Sequence, residues 1–285
     1  MRRILIATDF SSRSDRAIRR GALLARQFDC ELVVTHVVDD DQAESLLDVE
    51  HRESQLLLEK LARGLRDVDG LRCTPRMAIG EPFEQIPAMA HEVEADLVVI
   101  GPYRRDRIRN IFVCATAERI IRAIDTPVLM ANCLPAAAYE RILLATDFSE
   151  NASRAIITAK ALRLLDAAQV SAAHAYQASA DSLMARTAAN AHHRKDYLLA
   201  EAAAALAQLD ALSQTAGLTL VDQIAERIEL SAAETIRDIA RRVRAEVVVV
   251  GAQGRSALAQ AWLGSVSQDL LRFADIDILV VPSPR

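Results

Sequence analysis

Between Val247 and Leu271 a run of four valines stops at Gly251. Gly254 follows three residues on, Gly264 ten residues after that, and Ser265, Val266 and Ser267 come next. Glycine can adopt positive φ, and it lets a main chain approach a ligand with no Cβ in the way. A loop of bare N–H groups that runs into a helix N-terminus is an anion site, to which Ser265 and Ser267 add hydroxyl donors. A polyphosphate is the natural guest. Glycines after strands are also ordinary turn residues, so the spacing by itself leaves that plainer reading open.

The elements that must position this loop occur twice. Residues 2–37 match 140–175, with Ala-Thr-Asp-Phe-Ser in both copies, Asp9 aligned with Asp147 and His36 with His174, at an offset of 138. Residues 94–101 match 244–251 at an offset of 150, so the second copy carries twelve extra residues, placed here in the Ala-rich segment 180–214 as a longer helix. Each copy reads as an apolar strand (Ile4–Ala7; Ile142–Ala145), then a helix with Ser11 or Ser149 as its N-cap, then strands near 31–37, 72–79, 96–100 and 127–131 alternating with helices. The second copy repeats this near 169–175, 218–226, 245–250 and 277–281. Strands apolar on both faces and alternating with helices predict parallel sheets covered on both sides. Each copy is then one doubly wound α/β domain of five strands, 1–134 and 139–285, with a Pro/Ala linker between them.

Composition narrows the classes. The 285 residues are 51% hydrophobic and 26% charged, with net charge −5. That supports two cores, and it argues against nucleic acid as the main partner because no basic patch dominates. No apolar run approaches a membrane span, and "MRRILIATDF" is too short for a signal peptide. Cys30, Cys73, Cys114 and Cys133 are scattered, which fits a reduced, cytoplasmic protein with inert thiols.

Gly251-x2-Gly254-x9-Gly264-Ser265, together with "LGSVSQDLLR", "ILLATDFSENASRAI" and a second strand ending in His174, resembles the ATP-binding signature of the universal stress protein family. The resemblance spans both halves, as in a tandem member. It implies a Rossmann-like, adenine nucleotide alpha hydrolase-like fold in each half, strand order 3-2-1-4-5. The last strands of the halves would pair edge to edge along Val128–Ala131 and Ile278–Val281 as a pseudo-dimer, and two chains could pair further. It also implies ATP, with magnesium as an optional companion. Asp147 would contact the nucleoside, where a carboxylate can accept from ribose hydroxyls or an adenine amine. Ala145 and Thr146 would line the adenine slot, and backbone near Ala175 would meet the adenine edge. Gly251, Gly254, Gly264, Ser265, Val266 and Ser267 would hold the phosphates, with Arg255 either helping or solvated. The role implied is nucleotide-responsive regulation or stress tolerance.

The first half keeps Ala7, Thr8, Asp9 and Gly101 but departs elsewhere. Pro102 removes a donor, Arg104 stands where Gly254 does, and Cys114 and Ala115 stand where Gly264 and Ser265 do. ATP is therefore expected mainly in the C-terminal half. "RRDRIR" at 104–109 is either an anion holder or a solvated loop. Trp262 either covers the nucleotide or plugs the domain interface. His192 and Asp196, at i, i+4, are too few to hold a metal. No catalytic base is legible, so the alternatives are slow ATP hydrolysis or adenylyl transfer, and an interaction protein with a vestigial pocket.

Overall fold

The computed structural model describes residues 1–41, 43–102, 116–178, 191–254, 263–273 and 275–283. In the first half, β1 (Arg3–Ala7), α1 (Ser14–Phe28), β2 (Glu31–Val38), α2 (Glu44–Asp67) and β3 (Cys73–Ile79) are followed by α3 (Pro82–Glu92), β4 (Leu97–Ile100), α4 (Thr116–Ala123) and β5 (Val128–Met130). The second half repeats the plan with β6 (Arg141–Ala145), α5 (Glu150–Ala161), β7 (Gln169–Tyr176) and α6 (Ala191–Ala216). It continues with β8 (Asp222–Arg227), α7 (Ala232–Arg242), β9 (Val247–Gly251), α8 (Ser265–Phe273) and β10 (Asp277–Val281).

All ten strands join one sheet, ordered β3-β2-β1-β4-β5-β10-β9-β6-β7-β8. Each half therefore has the 3-2-1-4-5 order, parallel throughout. The halves meet where β5 and β10 pair antiparallel, with Met130 opposite Ile278, Leu129 opposite Leu279 and Val128 opposite Val280. These central strands are buried on both faces because helices cover both. Ile4, Ile6 and Val249 pack toward α1, α2, α5 and α6. Leu5, Val98, Val248 and Val280 pack toward α3, α4, α7 and α8.

The third strand of the second half differs from its sequence reading. It runs 222–227 rather than 218–226, because Leu218 and Leu220 pack beside the core from the loop that leads into it. The long helix begins at Ala191, and residues 179–190 of the proposed insertion lie outside the described residues. Ser149 caps α5 by accepting from the Ala152 amide at 3.2 Å. Ser11 accepts from the equivalent Ser14 amide at a longer 3.4 Å, while its hydroxyl donates to Asp9 at 2.5 Å; α1 starts later, behind Arg13.

Two asymmetric ion-pair clusters lock the halves together. On one face Arg20 of α1 is 4% exposed and meets Asp277 of β10, itself 0% exposed, at 3.0 Å. Tyr139 donates its hydroxyl to the same carboxylate at 2.6 Å, the Cys133 amide donates to its other oxygen at 2.8 Å, and Arg20 lies 3.9 Å over the Tyr139 ring. Burial and the charge of Asp277 both push the Tyr139 hydroxyl well above its ordinary pKa. On the other face Glu118 of α4 accepts from Arg272 at 2.7 Å and from Gln268 at 2.8 Å, both on α8.

Candidate functional site

The winding of the second half reverses between β6 and β9, so their carboxyl ends leave a crevice where ligands bind in such sheets. Beyond the last paired residues, Leu144 and Val249, the two strands deliver Ala145, Thr146 and Asp147 on one side and Gly251 on the other.

The turn after β6 is tightly built. The Thr146 hydroxyl accepts from the Phe148 amide at 2.9 Å, and the Thr146 carbonyl accepts from His174 Nδ1 at 2.7 Å. Phe148 sits at φ 61, a left-handed conformation costing about 1–2 kcal/mol for a non-glycine residue. Its ring rests 4.5 Å from that of His174, which helps hold it there. Asp147 Oδ1 accepts from the Ser149 amide at 3.0 Å, and this bond aims the carboxylate into the crevice.

The glycines act through space rather than through positive φ. The positive-φ glycines among the described residues are Gly70, Gly80 and Gly217, so the sequence reading of the motif is corrected on this point. A Cβ on Gly251 would lie 2.9 Å from the Asn151 carbonyl carbon and oxygen. Strand end and helix α5 touch there, backbone on backbone. A Cβ on Gly254 would lie 2.7 Å from Asp147 Oδ2, and one on Gly264 would lie 3.3 Å from the Ala252 carbonyl oxygen. The second glycine therefore leaves room for the carboxylate, and the third lets α8 start against the loop.

Helix α8 begins at Ser265, directly after Gly264, whose amide donates to Ala252 O at 2.7 Å. The amides of the first turn, Ser265, Val266 and Ser267, have no helical carbonyl to reach, and they carry the positive end of the helix dipole. Ser267 is placed differently from its sequence reading. It is buried, and its hydroxyl donates to the Gly251 carbonyl at 2.7 Å, tying the strand end to the helix rather than offering that hydrogen to a phosphate. Ala175 lies two residues past the last β6–β7 pair, half-buried at the edge of the crevice.

Some residues at the site carry no spacing signal. Ser283 donates within reach of both Asn151 Oδ1 and Gln253 Oε1, each at 3.2 Å, and so bridges α5 to the glycine loop. Arg154 donates to Asn151 Oδ1 and to the Pro282 carbonyl. Its repeat equivalent Arg16 donates to the Asn132 carbonyl. Recurrence at the same offset was the one clue in the sequence to this brace. Arg255 and Trp262, along with Arg104, the 104–109 run, Cys114 and Ala115 of the first half, lie outside the described residues. His192 and Asp196 form an exposed contact of 3.5 Å, and no group of three metal-ligating side chains occurs among the described residues.

The equivalent turn of the first half has the same frame with a different aspartate environment. Phe10 is at φ 56, and His36 Nδ1 donates to the Thr8 carbonyl at 2.8 Å. A Cβ on Gly101 would lie 3.1 Å from Arg13 O and Ser14 Cα. Asp9, however, accepts from both the amide and the hydroxyl of Ser11 and pairs with Arg13 at 3.7 Å. Burial disfavours its charge, but the Ser11 bonds, Ser14 and Arg13 outweigh that and hold its pKa below the ordinary carboxylate value.

Two doubly wound α/β halves, joined edge to edge and with a glycine-lined crevice at the switch point of the second, define a tandem protein of Rossmann-like fold. The profile of the universal stress protein family matches residues 1–132 and again 138–282, and the chain belongs to that family. A universal stress protein of Methanocaldococcus jannaschii is 28% identical over 140 residues, covering 46% of this chain and 82% of the relative. A Staphylococcus aureus protein named for the same family is 30% identical over 137 residues, covering 45% and 82%. Among solved structures, a universal stress protein from Archaeoglobus fulgidus superposes with TM-score 0.73 at 16% identity, covering 98% of both chains. One from Pseudomonas aeruginosa superposes with TM-score 0.68 at 17% identity, covering 99% of this chain and 93% of its own. At these identities the superpositions speak for the shared two-domain fold. No described helix is long and apolar enough to cross a membrane.

Proposed function

We propose that this universal stress protein binds ATP in its C-terminal half and serves as a nucleotide-responsive regulatory protein in the cytoplasm. One observation carries the reading: Asp147 Oδ2 occupies the space that a side chain at position 254 would take. A carboxylate suited to a ribose or an adenine amine thus lies against a glycine loop that runs into the first turn of α8. In this reading the nucleoside sits by Asp147, Ala145 and Ala175. The phosphates meet the amides of Gly254, Ser265, Val266 and Ser267, where dipole and bare N–H groups favour negative charge. Magnesium, when bound, would neutralise phosphate charge. Nucleotide binding would order the glycine loop and bias the surface it presents to a partner. The cytoplasmic setting fits the free cysteines: burial pushes the Cys30 and Cys73 thiols up to about 11, so both are inert.

The test copies the first half's residues into the second. ATP at a hundred times its dissociation constant should stabilise the native chain by about 2.7 kcal/mol. Gly254→Arg combined with Gly264→Cys should lose that shift while melting cooperatively without ligand. A retained ATP shift in the double variant would overturn the role given to the glycines. No shift in the native chain, with no nucleotide released on denaturation, would favour a vestigial pocket. Steady ADP or AMP production lost in Asp147→Ala would make the protein an enzyme.

A further inference from the structure

The seam between the third strand of each half and the helix that follows it is built differently in the two halves. In the second half the Glu226–Arg242 ion pair ties β8 to α7. The other polar groups there are also engaged: Thr235 donates its hydroxyl to the Ser231 carbonyl at 3.0 Å, and Asp238 pairs with Arg241 at 3.3 Å. In the first half, strand pairing puts Arg76 at the place of Ile224 and Ala78 at the place of Glu226. Along the helix Gln85 replaces Thr235, Ala88 replaces Asp238 and Glu92 replaces Arg242, at the offset of 150. The bridging pair is gone. In its place β3 and α3 leave a cleft of about 180 Å³, lined by these five residues with Met77 and Met89.

The polar groups of this cleft are unused by the protein. Among the described residues, the side chains of Arg76, Gln85 and Glu92 make no hydrogen bond or ion pair. The strand adds main-chain groups, because β3 is the edge of the sheet. The Leu32 amide donates to the Arg72 carbonyl and the Gly80 amide to the Val38 carbonyl, so the even-numbered residues of β3 face β2. The odd-numbered ones turn N–H and C=O outward, Met77 among them. Pro75, which has no N–H, falls on that outward side, as an edge strand allows. The floor is apolar: Ala78 and Ala88 flank Met89, whose sulfur accepts from the buried Thr35 hydroxyl at 2.8 Å.

We propose that this cleft binds a free L-α-amino acid with a small aliphatic side chain. The Arg76 guanidinium matches the α-carboxylate, and the Glu92 carboxylate matches the α-ammonium. The Gln85 carboxamide and the Met77 main chain can serve either end. A plain anion would face Glu92 and a plain cation would face Arg76, so the pair selects a ligand that carries both charges. The alanines and Met89 leave an apolar seat for a short side chain. The site belongs to the first half and is separate from the crevice at Asp147.

Isothermal titration calorimetry of the full-length chain tests this. L-valine should bind at millimolar concentrations or tighter. Isovalerate, which lacks the ammonium, and valinol, which lacks the carboxylate, should each bind about tenfold more weakly or worse. Arg76→Gln and Glu92→Gln should each cost about tenfold in valine affinity. Ala78→Glu combined with Glu92→Arg rebuilds the bridge of the second half, and it should abolish binding while the chain still melts cooperatively. The ATP shift of the native chain should persist in every variant, so failure here and failure of the nucleotide reading are told apart. No heat from L-valine or L-alanine in the native chain overturns the proposal. So does unchanged valine affinity in the rebuilt-bridge variant, and so does equal binding of valine, isovalerate and valinol.

Discussion

At the ends of β1 and β6 the same five residues, Ala-Thr-Asp-Phe-Ser, make the same turn, and the two turns differ in what the aspartate meets. Asp9 is engaged by Ser11 and Arg13 of its own turn. Asp147 is held by the Ser149 amide and points at the space Gly254 leaves. The shared features are those the fold needs. They are the left-handed phenylalanine, the histidine on the threonine carbonyl, the glycine wedged against the next helix and the arginine bracing the end of the fifth strand. The residues that differ are those assigned above to the proposed nucleotide site. Gly101 and Gly251 persist in both halves because helix backbone lies against them, whereas among the described residues Gly254 faces the movable Asp147 side chain.

The largest break in the two-fold likeness is the buried pair Arg20–Asp277. Thr158 and Pro127 stand at the repeat-equivalent positions, so the pair occurs once. Asp277→Asn should cost about 3–5 kcal/mol in urea unfolding, because Arg20 would stay buried without its counter-charge. A loss under 1 kcal/mol would mean the guanidinium escapes to water. Next comes a glycine series read by thermal melting. Gly251→Ala should lose about 1–3 kcal/mol, because a Cβ at 2.9 Å from backbone forces movement, and Gly101→Ala about 1 kcal/mol. Gly254→Ala should lose least, since the Asp147 carboxylate can swing away. A reversed order would mean the second glycine, not the first, holds the fold.

The smallest effect separates the aspartates. Asp9→Asn should leave ATP affinity unchanged and should lower neutral-pH stability by less than about 1 kcal/mol, since the carboxylate is largely exposed. The folded pKa of Asp9 lies below its unfolded value. Its contribution is therefore complete above the unfolded value of about 3.9 and fades as pH falls through the folded one. Melting of both proteins from neutral to strongly acid pH should show the deficit vanish in acid. A deficit that persists there would trace to packing instead.

The two doubly wound halves were legible because apolar strands and helices repeat at fixed offsets, which is a property of local sequence. The strand order and the pairing of the last strands came only from the resemblance to the family. The crevice was legible only as a spacing of glycines; of the two reasons offered by glycine, positive φ is not used there, and the missing Cβ is. What they exclude depends on Asn151, Asp147 and Ala252, which the spacing does not mention. Ser267 carried no sign that its hydroxyl turns back to Gly251, and Arg20 none that its partner lies 257 residues away.

The antiparallel joint between β5 and β10 sets which way each crevice opens. Strands of the two halves run in opposite directions, so their carboxyl ends lie on opposite rims of the sheet. A molecule that reads the glycine loop must come from one rim, and from there it cannot also touch the turn at Asp9. The two crevices are back to back, so one chain can meet one visitor at the Asp147 end and a different one at the Asp9 end.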